Sequence, residues 1–194
     1  MTEAAVTLED RGPVLLGLAR AAIASALGRV GRADRSAPWL REKGACFVTL
    51  TQDGNLSGCV GSIEAHRSLL EDVTANARAA AFADPRFPPL GGEALERARI
   101  EVSLLSPTQQ LHVCSEAEAL QQIRPHLDGL VLQWGRHCGA FLPQVWEALP
   151  DPSDFLAHLK RKAGLPHDFW VNDLRLYRYC VTKWSEPETG QVEQ

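Results

Sequence analysis

Cys46-Phe-Val-Thr-Leu-Thr51 and Leu56-Ser-Gly-Cys-Val-Gly61 are two short β-like runs on either side of Asp53-Gly54-Asn55, a turn signal, and together they form a hairpin. Two registers are open. A two-residue loop, Asp53-Gly54, sets Cys59 opposite Val48 and puts Ser57 on the face of Cys46, Val48 and Leu50, which mixes polar and apolar side chains. A three-residue loop with Asn55 left-handed sets Cys59 opposite Thr49, and Leu56, Gly58 and Val60 then join Cys46, Val48 and Leu50. The second register separates an apolar face from one bearing Thr49, Thr51, Ser57 and Cys59, so burial selects it. Cys59 is then expected on the more polar side.

Upstream, Pro13 to about Val30 carries Leu15, Leu18, Ala19, Ala22, Ile23, Ala26 and Val30 at helical spacing, behind a tail of residues 1–12. Gly31 to Pro38 is a loop. Downstream, Arg67 to Ala83 has Leu69, Leu70, Val73, Ala77, Ala80 and Ala81 on one helical face; Asp84 precedes Pro85 and ends the helix at Ala83. Pro85, Pro88 and Pro89 stiffen the loop that follows, up to Leu90. Further on the pattern gives a short helix over Glu93 to Ala98, a strand over Ile100 to Leu105, and a helix from a Ser115/Glu118 capping box to about Arg124. A second hairpin joins Leu130 to Trp134 with Ala140 to Leu142 through a turn over Gly135 to Gly139. Helices near Gln144 to Leu149 and over Ser153 to Ala163, an alternating strand from Leu174 to Trp184 and a polar tail over 185–194 close the chain. Hairpin and helix occur twice, which suggests either a duplication or two subdomains.

The 194 residues are 45% hydrophobic, 23% charged and 7% aromatic, and this excludes collagenous and disordered classes. A net charge of −4 leaves no cation excess for phosphates, so nucleic acid is not an expected partner. Lys160-Arg161-Lys162 reads as a helix C-terminus answering the macrodipole. Five cysteines without a Cys-x-x-Cys pair make neither a disulfide framework nor a zinc knuckle, and adjacent His137 and Cys138 do not suit one tetrahedral ion. No metal or other cofactor is expected. Glu3, Glu9, Asp10 and Arg20 disqualify the first apolar run as a signal peptide or membrane span, so the expected place is the cytoplasm, away from membranes.

Leu56-Ser-Gly-Cys-Val-Gly61, Ala80-Ala-Phe-Ala-Asp-Pro-Arg-Phe-Pro-Pro-Leu90 and Ile100-Glu-Val-Ser-Leu-Leu-Ser-Pro107 resemble the AMMECR domain family, and in prokaryotes the A component of the AmmeMemoRadiSam group. Gly129-Leu-Val-Leu132, Phe141-Leu-Pro-Gln-Val145 and Arg161-Lys-Ala-Gly-Leu165 fit it further on. The match runs over about 13–184. The resemblance implies an α+β fold, a mixed or antiparallel sheet flanked by helices, with a smaller second subdomain. It implies association with Memo-like, dioxygenase-related proteins and with radical SAM proteins. The family's usual arginine in Leu-Arg-Gly-Cys-Ile-Gly is replaced here by Ser57.

Cys59 is the candidate reactive residue, because Gly58 and Gly61 would let a ligand or a partner's backbone approach the sulfur. Its alternative is a small buried hydrophobe. His66 and His137 are possible bases without a motif. Arg86, on the proline-stiffened loop, could grip a carboxylate or phosphate; its alternative is an ion pair to Asp84 or Glu101. Gly58, Gly61, Asp84 and Arg86 are thus the candidate ligand-binding residues, with Cys59 the catalytic candidate. Cys46, Cys114, Cys138 and Cys180 are expected in the core, which would make Cys59 the first thiol to be alkylated. Two functions stay open: binding of a small molecule or protein partner at a cleft beside Cys59, or a thiol-dependent transferase or hydrolase with Cys59 as nucleophile.

Overall fold

The structure is a computed structural model that describes residue 8 and residues 10–187. In chain order its elements are α1 (Arg11–Ala26), β1 (Cys46–Gln52), β2 (Asn55–Gly61), α2 (Leu69–Phe82), α3 (Gly92–Arg97), β3 (Ala98–Leu105), β4 (Gln109–Leu111), α4 (Glu116–Gln122), β5 (Gly129–Trp134), β6 (His137–Phe141), α5 (Pro152–Lys162), β7 (Arg175–Tyr179) and β8 (Val181–Ser185). The class is α+β, with two four-stranded antiparallel sheets and helices beside them. The described residues form two compact units, one from the stretch up to Leu104 together with residues 182–187 and the other from the continuous stretch 105–181.

In the first unit the strand order is β2-β1-β3-β8. Leu15, Leu18, Ala19, Ala22 and Ile23 of α1 and Leu69, Val73, Ala77 and Ala80 of α2 share one core with Cys46, Val48 and Leu50 of β1 and Ile100 and Val102 of β3. α1 starts at Arg11, inside the expected tail, and ends at Ala26, four residues short of the spacing; Gly28 takes a left-handed φ of 74° and turns the chain away. Val30 is therefore 86% exposed instead of on the helix's apolar face. A 3-10 turn, Pro38–Arg41, buries Trp39 and Leu40, which the sequence pattern did not reveal.

The hairpin keeps the expected register and reaches it by another route. Asp53 (φ 50°) and Gly54 (φ 78°) are the left-handed pair of a two-residue turn, and Asn55 pairs with Gln52 as an ordinary strand residue. Pairing then slips by one: Thr51 faces Leu56, Leu50 faces Gly58, and Thr49 faces Cys59, which leaves Ser57 as a bulge. The tight turn satisfies strand twist, and the bulge restores the burial of the residues beyond it. Leu56, expected on the apolar face, falls before the bulge and is 43% exposed.

α2 begins after a reciprocal capping box, with Glu71 N donating to Ser68 Oγ and Ser68 N to Glu71 Oε2. It lies so close to β2 that a Cβ on Gly58 would stand 2.1 Å from Ala80 O. Four donors meet the buried Asp72 carboxylate at the other end of the helix: Cys46 N (2.8 Å), Asn76 Nδ2 (2.9 Å), Ser62 Oγ (2.7 Å) and Arg67 Nε (2.9 Å). β8 completes the sheet, and Glu186, placed by the sequence pattern in the polar tail, forms an ion pair with Arg20 of α1.

The second unit has strand order β4-β7-β5-β6, and β4 was not apparent from the sequence. Its core centres on Trp146 stacked against Phe155 at 3.8 Å, with the Trp146 indole donating to Asp128 O. Ser115 accepts from Glu118 N, but Glu118 Oε2 accepts from Cys114 N, so only half of a capping box forms. The hairpin turn is shorter than expected, since β6 starts at His137. The expected strand from Leu174 to Trp184 is two strands in two sheets, split at Cys180, whose N–H and C=O are both taken by Ser106. Lys160, Arg161 and Lys162 form the last turn of α5, as expected, and Lys160 is in addition fully buried, with Nζ donating to His167 O and paired with Glu116. Among the described residues no helix is long and apolar enough to cross a membrane.

Candidate functional site

Cys59 lies on the edge strand of the first sheet. Because it faces Thr49 across the ladder and Thr49 faces Glu101 on the other side, one row of the sheet reads Cys59, Thr49, Glu101. The Thr49 hydroxyl donates to Cys59 Sγ over 3.3 Å. Glu101 accepts from Ser185 Oγ at 3.0 Å and stands 3.9 Å from Lys183 Nζ. Two strand spacings separate it from Cys59, about 10 Å, so it does not touch the thiol.

The backbone of Cys59 turns outward, and the loop after α2 comes back to meet it. Leu90 anchors that loop: its side chain is buried and its N–H donates to Ala81 O. Asp84 Oδ2 accepts from Cys59 N at 2.9 Å, and Arg86 Nη2 donates to Cys59 O at 3.1 Å. Arg86 also grips Asp84 through Nε (3.0 Å) and Nη2 (2.7 Å), and its own N–H donates to Asp84 Oδ1. A carboxylate and a guanidinium thus occupy the place where a neighbouring strand would offer a C=O and an N–H, which closes the sheet edge at this residue. The Arg86 guanidinium, followed by the Cys59 N–H, holds the Asp84 carboxyl well below the usual carboxylate range.

The structure therefore brings Cys59, Asp84 and Arg86 together, through the Cys59 backbone and not its sulfur. Arg86 pairs with Asp84, not Glu101. Its side chain remains 57% exposed while that of Asp84 is 3% exposed, and its guanidinium lies over the Phe87 ring at 5.3 Å. Gly58 serves the approach of α2. At Gly61 a Cβ would meet the Phe47 ring at 2.2 Å, so both glycines make room for the protein's own atoms. The Ser57 hydroxyl is enclosed and has no hydrogen-bond partner among the described residues, contrary to an open polar face there.

His66 is 73% exposed and stands 3.5 Å from Glu64, and His137 belongs to the second unit, stacked on Trp134 with Nδ1 at Ala163 O. The ranking of the thiols also changes. Cys46 is buried, and burial followed by the Asp72 carboxylate pushes its thiol up. Cys114 and Cys138, expected in the core, are exposed, while Cys59 and Cys180 are half-buried. Cys138 lies on the outer face of β6, an edge strand, and Cys114 just before α4, so alternation there had marked strand faces without marking the core. Among the described residues no group of three or more His, Cys, Asp or Glu side chains is placed to hold a metal ion.

The AMMECR1 family model matches residues 16–184. The chain belongs to the AMMECR1 family. Among AMMECR1 relatives, Protein MJ0810 of Methanocaldococcus jannaschii is 36% identical over 96% of both chains. A protein of Methanothermobacter thermautotrophicus is 37% identical over 88% of this chain and 91% of its own. The crystal structure of uncharacterized protein PH0010 from Pyrococcus horikoshii superposes with a TM-score of 0.77 at 33% identity, covering 91% of this chain and 92% of that one. The Cys59, Asp84 and Arg86 cluster falls within the AMMECR1 match.

Proposed function

We propose that this AMMECR1 protein binds a small anionic molecule, or an acidic segment of a protein partner, on the surface beside Cys59, and that it serves Memo-like and radical SAM proteins without catalysing a step by itself. The observation that carries this reading is the Arg86 guanidinium. Asp84 and the Cys59 carbonyl fix one edge of it, and more than half of the side chain stays open to water. A guanidinium already held in place loses little rotamer freedom on gripping a carboxylate or phosphate, so more of the contact energy appears as affinity.

A nucleophilic role for Cys59 finds less support. The Sγ neighbour is a threonine hydroxyl, which donates a hydrogen bond but is a poor base at neutral pH, and the nearest histidine in sequence, His66, is solvated beside Glu64. Mass spectrometry of the metabolites and proteins retained by the purified chain tests the proposal. Arg86→Gln is expected to lose a species that the wild type and Cys59→Ala both keep. Equal retention by Arg86→Gln removes the anion site, and turnover of a co-purified species that stops in Cys59→Ala replaces binding with thiol catalysis.

A further inference from the structure

Gly17 sits in the interior of α1, where glycine destabilises a helix relative to alanine, and nothing lies within 4 Å of the position its Cβ would take. The other glycine of α1 has a packing reason: a Cβ on Gly12 would stand 2.3 Å from the Trp184 ring. Gly17 has neither a crowded neighbour nor a left-handed φ to require it. What its missing side chain does is keep a recess open. That recess, of about 350 Å³, has a floor of Gly17, Ala21, Ala24 and Leu95, and this volume is at the low end for small-molecule sites. Gly17, Ala21 and Ala24 are four and then three residues apart, so they form one helix face.

The rim is charged. Arg20 is held by Glu186, and Arg29 Nη1 stands 3.0 Å from Glu96 Oε1. Arg32, exposed on the loop that forms the opposite wall, has no ion-pair partner among the described residues. The rim therefore carries one uncompensated positive charge above an apolar floor.

We infer that the recess between α1, α3 and the Arg29–Arg32 loop binds a small amphipathic carboxylate, with the apolar body over Gly17 and the carboxylate on Arg32. The site is separate from Arg86 and does not depend on the function proposed there. Amide chemical-shift titration with octanoate, octanamide and inorganic phosphate tests it. Octanoate is expected to shift residues 17–32 and 95–96, with octanamide and phosphate each binding about tenfold more weakly, since one lacks the charge and the other the apolar body.

Gly17→Leu places a side chain on the floor from a Cβ position with nothing within 4 Å and improves helix propensity, so it is expected to abolish octanoate binding while leaving the melting temperature unchanged or raised. Arg32→Gln should weaken octanoate about tenfold, Glu96→Gln should tighten it by freeing Arg29, and Arg86→Gln should leave it unchanged. Octanoate binding to Gly17→Leu at wild-type strength, octanamide matching octanoate, phosphate matching octanoate, or no localised shift at millimolar octanoate would each overturn the inference.

Discussion

Asp84 accepts from Arg86 Nε, Nη2 and N and from Cys59 N, all on a carboxylate whose side chain is almost wholly enclosed. These donors favour the ionised form, so the folded-state pKa lies below the unfolded one. The stability this linkage contributes is present above the unfolded carboxylate pKa of about 4 and is lost as pH falls through and below it. Asp84→Asn is therefore expected to lower the urea midpoint at neutral pH, and its gap to the wild type should narrow steadily below roughly pH 4. A gap independent of pH would mean that the carboxylate's charge is not what ties the loop to β2. The sequence showed Arg86 with two possible carboxylate partners, and could not choose because the choice rests on where Leu90 pins the returning loop. Ser57 was less legible still, since its enclosed hydroxyl follows from a bulge that no residue type announces.

At the scale of elements, α2 shows how a buried polar network hides in an apolar face. Leu69, Val73, Ala77 and Ala80 mark that face by their spacing, and the same spacing places Asp72 and Asn76 on it. A polar pair four residues apart within an apolar stripe was the available signal. Its partners, Cys46 N and Ser62 Oγ at the start of β1 and the end of β2, were invisible because they depend on the hairpin lying under the helix. Asp72→Ala leaves the Cys46 N–H without its acceptor and Arg67 without its counter-charge, and removing one member of such a buried set costs about 3 kcal/mol. Urea unfolding monitored by far-ultraviolet circular dichroism should register that loss, whereas Glu71→Ala at the exposed cap should shift the midpoint clearly less. Similar losses from the two variants would show that the network adds no more than an ordinary cap.

At the scale of the whole chain, the strand Leu174 to Trp184 misled because alternation reports only which side is buried and not which sheet receives the strand. Both sheets share one arrangement: a hairpin whose second strand is an edge, then a helix, then a strand pairing with the hairpin's first strand. The fourth strand differs. In the second unit it is β4, which precedes the hairpin, and in the first it is β8, which arrives from the far end of the chain. The first unit is therefore made from two separated segments, the second from one. A chain ending at Val181 would lose Trp184, against which Gly12 packs, and Glu186, which pairs with Arg20 and accepts from Ile100 N. Uncovering β3 and unpairing Arg20 together should cost the first unit more than about 3 kcal/mol. The second unit would keep every residue and all four of its strands, since β7, the last of them, ends at Tyr179. Hydrogen exchange resolved by peptide is expected to show lost protection over β1 and β3 with β5 and β7 unchanged. Equal loss in both sheets would mean that the two units unfold as one.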